Sequence, residues 1–179
     1  TGEGELIVGS YEGSGGVSIG SYFRKLLYAW QMRDINILIS SQINENSKIQ
    51  YRRSINERIS TLAPFLKLDK DPYIVAANDY LYWIQDAYTT SDKFPYSQPT
   101  DEDDTSLGHY NYIRSSIKIV MNAYTGDVKF YLWDTTDPVA RTYQKMFPTL
   151  FSDRDSMPSD LISHVRYPQG LFAIQAEKY

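Results

Sequence analysis

Two carboxylates, Asp86 and Asp92, lie in a stretch crowded with hydroxyls: Tyr82, Tyr88, Thr89, Thr90, Ser91 and Tyr96. Two carboxyl groups are what a glycoside-cleaving hydrolase needs, one as acid and one as base or nucleophile. The same residues suit a surface that binds without reacting. A tyrosine ring is flat and apolar with a polar tip, which fits sugar rings and peptide chains, and a nearby acid supplies the orienting hydrogen bond. The candidate binding set is therefore Tyr82, Asp86, Tyr88, Thr89, Ser91, Asp92 and Tyr96. No base is placed to activate a hydroxyl, so Thr89, Thr90 and Ser91 also read as turn-forming residues. Asp86 also reads as a tie to a neighbouring hydroxyl or turn amide. His109 and His164 sit near no acid–base motif, and neither His-Glu-x-x-His nor Gly-x-Ser-x-Gly occurs. No catalytic residues are assigned. The expectation is a non-catalytic binding domain, with a cell-envelope hydrolase using Asp86 or Asp92 as the alternative.

Other chemistry is weaker. Asp101, Glu102, Asp103 and Asp104 lie in an acidic loop over 98–109 and are a candidate set for a hard cation such as calcium. The alternating acids, central glycine and closing glutamate of an EF-hand are missing, so a solvated loop is the preferred reading. Gly13, Gly15, Gly16 and Gly20 belong to a glycine-rich lead-in over 1–20, but no Gly-Lys-Ser/Thr follows to hold a phosphate. No cofactor is implied. The chain has no cysteine, which removes thiol catalysis, disulfides and cysteine metal sites. Net charge is −4 with no basic block, so nucleic acid is not an expected partner. The basic pair Arg52-Arg53 reads as part of a solvated helix face.

The elements that must position these groups follow from periodicity. Tyr73 to Val75, the dipeptide Asn78-Asp79 and Tyr80 to Thr89 read as a tight hairpin. Tyr82, Ile84, Asp86 and Tyr88 then share one strand face, and Leu81, Trp83, Gln85 and Ala87 the other. Tyr110 to Tyr124 and Val128 to Trp133, joined at Thr125-Gly126, make a second hairpin. Its first strand places Ile113, Ile117, Ile119 and Met121 on the core face. Arg114, Ser116, Lys118 and Asn122 fall on the other, where Lys118 is expected to tolerate substitution. Phe23, Leu26, Leu27 and Trp30 form an inward helical stripe, as do Tyr51, Ile55, Ile59 and Leu62, with Ser47 and Gln50 as capping box. Asp137 caps and Pro138 opens another helix, and further helices start at Pro158 and near Gln169. The fold class is α+β: an antiparallel sheet of about four strands, two hairpins, covered by helices from both ends of the chain. At 179 residues the chain reads as a single globular fragment, 1–179, of something longer, because it starts without methionine and ends in a helical pattern. It has no apolar run long enough to span a membrane.

Five segments carry a resemblance: GGVSIGSYFRKLLYAW, YRRSINERISTLAPFLKLDKDPYIV, LYWIQDAYTTSDKFPYS, NYIRSSIKIVMNAYTGDVKFYLWD and HVRYPQGLFAIQAEKY. They closely resemble uncharacterised protein family 0182, large bacterial multi-pass membrane proteins. The acidic run Asp101 to Asp104 departs from that pattern. The resemblance implies transmembrane helices ahead of Thr1 and a large domain on the extracytoplasmic side of the cell membrane, of which this chain is the middle. Its partners would be the remainder of its own membrane protein and an envelope partner or glycan. The resemblance brings no catalytic residues to carry over.

Overall fold

The computed structural model describes residues 11–99 and 109–178. The candidate cation ligands Asp101, Glu102, Asp103 and Asp104 lie outside the described residues. The chain divides into two compact units, residues 1–51 and 52–179.

In the first unit a short ribbon pairs β1 (Val17–Ser18) antiparallel with β2 (Lys48–Ile49). Between them run α1 (Tyr22–Met32) and α2 (Asn36–Ile39). Ser21 caps α1 by accepting from the Arg24 amide, and Arg33 closes it in the left-handed region at φ 55°. The expected inward stripe is not buried here: Phe23, Leu26, Leu27 and Trp30 are all exposed, and the helix buries Ala29 instead. A ribbon of two-residue strands offers no sheet face wide enough to cover that stripe. The expected capping box at Ser47 and Gln50 is also absent, because Lys48 and Ile49 are in the ribbon.

The second unit holds the sheet. α3 (Ile55–Leu62) precedes β3 (Lys67–Leu68), β4 (Tyr73–Ala77) and β5 (Tyr80–Ser91). Then come β6 (Tyr112–Asn122), β7 (Val128–Leu132), α4 (Pro138–Met146), β8 (Phe151–Asp153), α5 (Ser159–Ile162) and α6 (Gln169–Lys178). The class is α+β as expected, but the sheet has six strands rather than about four, in the order β3-β5-β6-β7-β8 with β4 also pairing β5. The two extra strands, β3 and β8, have two and three residues, too short for an alternating pattern to show. β8 lies parallel to β7, the other pairs antiparallel, with α4 as the crossover.

Both hairpins form where turn chemistry places them. Asn78 and Asp79 take φ of 49° and 62°, the paired positive values of a two-residue turn whose twist matches the flanking strands. Gly126 takes φ 77°, and its carbonyl accepts from the Arg58 guanidinium at 2.5 Å. A Cβ at Gly126 would meet only the mobile tip of the Arg58 side chain, so it is the positive φ that selects glycine.

Apolar cores lie on both faces of the sheet. On one, Ile55, Ile59 and Ala63 of the α3 region pack on Ala87, Ile117, Ile119, Met121, Phe130 and Phe151. On the other, Met157 and Leu161 pack on Tyr73, Val75, Ile84, Val120 and Tyr131. A central strand covered on both sides has no solvated face, so its polar side chains must find partners inside.

Candidate functional site

β5 and β6 pair with Asp86 directly opposite Lys118. Both are buried, each 2% exposed, and Lys118 Nζ forms an ion pair with Asp86 Oδ1. Lys118 was expected on a solvated face, and this corrects that expectation: the C-terminal segment covers it. The same Nζ donates to the carbonyl of Arg166 at 3.0 Å. Burial raises the pKa of Asp86, and the Lys118 charge opposes that rise.

A second buried polar cluster holds the same segment. Tyr88 Oη donates to Asp69 Oδ2 at 2.8 Å, the Gly170 amide donates to that oxygen at 3.2 Å, and the Leu171 amide donates to Tyr88 Oη at 3.2 Å. In the first turn of α6 the Gly170 amide is thus capped by a carboxylate about a hundred residues upstream, where the positive helix end favours it, and the Leu171 amide by a tyrosine hydroxyl. Burial and Asp69 both push the Tyr88 hydroxyl pKa well up. The Arg166 amide donates to Tyr73 Oη at 3.1 Å. Residues 165–171 form a strap anchored at each of these points.

Between strap and sheet lies an open cleft of about 700 Å³. A register shift shapes its floor. Ala87 pairs with Ile117, but Thr89 pairs with Arg114, so Ser115 and Ser116 both oppose Tyr88. Such a bulge re-aims the side chains beyond it. Ile113, expected beside Ile117 in the core, lines the cleft instead, next to Arg114 and Ser115. The Ser116 carbonyl accepts from the amides of both Trp133 and Asp134, fixing the sheet edge beside the bulge.

The cleft is rich in cations. Arg114, Lys118, Arg154 and Arg166 line it, with Asp134 as the one acidic lining residue among the described residues. Arg114 pairs with Asp134 at 2.6 Å and donates to Thr136 Oγ1 at 3.0 Å. Burial works to raise the Asp134 pKa, but the Thr136 hydrogen bonds and Arg114 hold it below the usual carboxylate range. Arg154 lies over the Trp133 ring at 4.1 Å from its centroid, and Arg166 over Tyr73 at 4.6 Å. Among the described residues neither Arg154 nor Arg166 has an ion-pair partner. Among the described residues the buried Oγ of Ser115 has no hydrogen-bond partner. The rest of the lining includes Trp133, Val165, Pro168 and Leu171, an apolar surface.

The residues singled out from the sequence lie elsewhere or serve the scaffold. Tyr82 is half-buried against the second core. Asp86 is ion-paired, and Tyr88 is tied to Asp69 and α6. Thr89 is buried, donating to Asp137 Oδ2 at 2.5 Å. Ser91 Oγ accepts from the Lys93 amide. Asp92 and Tyr96 are exposed past the end of β5, Tyr96 at φ 60°. Strand rise puts Asp86 and Asp92 about 20 Å apart, against ~5–10 Å for a working carboxylate pair, so the hydrolase geometry is not formed. The cleft residues Arg154, Arg166, Trp133 and Ser115 were missed. They come from separate segments and share no motif: the β7–β8 pairing brings Arg154 to Trp133, and the strap brings Arg166 to them.

Fold and site together define an α+β domain with a basic, aromatic-lined cleft. The chain belongs to the Uncharacterised protein family (UPF0182), whose model matches residues 2–179. It is 47% identical over 175 residues to a UPF0182 protein of Pelotomaculum thermopropionicum, covering 98% of this chain and 18% of the relative. It is 49% identical over 173 residues to one of Bradyrhizobium diazoefficiens, covering 97% and 18%. A UPF0182 protein of Methanospirillum hungatei is 48% identical over 175 residues, with 98% and 19% covered. The chain thus spans about a fifth of the length of these relatives. No solved structure matches it. Among the described residues no helix is long and apolar enough to cross a membrane.

Proposed function

We propose that this chain is a non-catalytic binding domain whose cleft takes an anionic ligand, and that it forms part of the extracytoplasmic region of an integral membrane protein. The observation that carries the binding reading is the pair Arg154 and Arg166, two guanidiniums facing a cleft without a carboxylate of their own. An arginine fork recognises carboxylates, phosphates and sulfates through paired N–H donors. An acidic envelope polymer is one anion that the proposed setting would present. The setting rests on the family resemblance and on the small share of each relative that the chain covers.

Calorimetric titration tests the binding reading. Dextran sulfate should give a saturable, salt-dependent signal that neutral dextran does not, and the double variant Arg154→Gln/Arg166→Gln should abolish it. Equal binding by the double variant would overturn the assignment of the cleft. The setting has its own test. A protease-cleavable tag in this domain, in the protein expressed from its own gene, should be cut in intact spheroplasts, and complete protection would refute an extracytoplasmic location.

A further inference from the structure

The charge balance of the cleft specifies more than the sign of its ligand. Arg114 is matched by Asp134, and Lys118 by Asp86, so these four charges cancel in pairs. Arg154 and Arg166 remain, two lining cations that no described lining carboxylate matches, while Asp69 and Asp71 act on Asp86 from outside the lining. Each of the two lies against an aromatic ring, Arg154 on Trp133 and Arg166 on Tyr73. Stacking holds a guanidinium plane in place and leaves its N–H edge free to donate, so part of the ordering cost of binding is already met. An inorganic ion would leave most of the cleft unfilled. Its volume of about 700 Å³ lies within the range of sites for organic ligands. Ile113, Val165, Pro168 and Leu171 supply an apolar wall, and Ser115 a hydroxyl without a partner among the described residues.

We propose that the cleft binds an organic dianion: a doubly charged head, either a phosphate monoester or paired carboxylates, on an apolar or ring-shaped body. The head meets Arg154 and Arg166, and the body lies along the apolar wall. This rests on the reading of the cleft as an anion site.

The test is calorimetric titration of the intact chain at constant ionic strength and a pH of about 7.5, where a phosphate monoester is doubly charged. The probes are phenyl phosphate and phthalate, compared with benzoate, inorganic phosphate and benzyl alcohol. Phenyl phosphate or phthalate should bind at least about tenfold tighter than benzoate or inorganic phosphate, the scale of one charge-assisted hydrogen-bonding contact. The tighter of the two distinguishes a phosphate from a dicarboxylate head. Arg154→Gln and Arg166→Gln should each weaken that binding by at least about tenfold while the melting temperature stays unchanged, since both side chains are exposed. Benzoate binding as tightly as phenyl phosphate, with both arginines required, would overturn the dianion and leave the anion site standing. Inorganic phosphate binding as tightly would overturn the apolar body. Titrations indifferent to both substitutions would overturn the dianion and the anion site together.

Discussion

Lys118→Met lowers the stability of the domain by about 3–5 kcal/mol, the cost of leaving a buried carboxylate without its cation. Asp86 is 2% exposed and has that one cation against it. A domain of this kind has only ~5–15 kcal/mol in hand, so the variant is expected to be partly unfolded at physiological temperature. The loss extends to the strap, because Lys118 Nζ also holds the Arg166 carbonyl. The pair itself need not be a large net stabiliser. Desolvating two charges offsets most of their attraction, so the double variant Asp86→Leu/Lys118→Met should recover much of what the single variant loses. The pH dependence has a definite sign. Without Lys118, burial raises the folded pKa of Asp86 further above its unfolded value, so the folded state binds the proton more tightly. The deficit of Lys118→Met is therefore smallest at acid pH, grows as pH rises above the wild-type folded value of Asp86, itself above the ordinary carboxylate value near ~4, and levels off above the still higher folded value of the variant. Urea melts of the three proteins between acid and neutral pH measure all of this. A Lys118→Met curve that overlays the wild type would show that the ion pair has no structural role.

The same residue shows what was legible in the sequence and what was not. The hairpins were legible because their signals are local: Asn78-Asp79 and Gly126 take the positive φ their turns require, between strands of clear alternation. Alternation also put Asp86 and Lys118 off the core face that holds Ile117 and Ile119. It did not show that the face carrying Lys118 is covered too. A polar residue on an alternating strand reads as solvated, and only the neighbouring strand's register shows that Asp86 faces Lys118. The turns at Asn78-Asp79 and Thr125-Gly126 set the registers of β4 on β5 and of β6 on β7, but residues 92–111 separate β5 from β6, so neither turn fixes that register. The bulge at Ser115 and Ser116 was no more legible. A one-residue slip leaves hydrophobic alternation looking continuous, and it carried Ile113 from the expected core to the cleft wall. The exposed stripe of α1 shows the reverse failure: Phe23, Leu26, Leu27 and Trp30 have ideal helical spacing, but spacing says only that a face is apolar, not that these residues supply its cover. The cleft was least legible of all. Trp133, Arg154 and Arg166 lie just past β7, just past β8 and ahead of α6, thirty-odd residues from first to last, and the place of Arg166 depends on Asp69, Tyr73, Tyr88 and Lys118 holding the strap.

Asp137 is the other residue whose loss should be severe, and it was read correctly as a helix cap while most of its role stayed hidden. Its Oδ1 accepts from the Val139 amide at 2.9 Å, which is the cap, and from Tyr112 Oη at 2.6 Å. Its Oδ2 accepts from Thr89 and Ser116 hydroxyls, each at 2.5 Å. One fully buried carboxylate thus ties α4 to β5 and β6 beside the bulge. Asp137→Ala removes the cap and leaves buried hydroxyls without an acceptor, for a loss of about 3–5 kcal/mol. Asp137→Asn keeps an acceptor but not the charge, and should fall between the two. Burial alone would raise the Asp137 pKa, yet the Ser116, Thr89 and Tyr112 hydroxyls and the Val139 amide together hold it below the usual carboxylate range. With a folded pKa below the unfolded one, its contribution is complete above the unfolded value near ~4 and is lost as pH falls through the folded value. Tyr112 sets the opposite limb: burial and the hydrogen bond to Asp137 push its pKa up to about 12. Its contribution is complete below the unfolded tyrosine value near ~10 and is lost as pH rises toward the folded one. Melting temperatures across pH should therefore fall at both ends, and Asp137→Asn should flatten the acid limb and, by weakening the hold on Tyr112, the alkaline limb as well. An Asn variant whose acid limb is as steep as the wild type's would place the acid sensitivity in some other carboxylate, with Asp134 the next to substitute because its folded pKa is also held low.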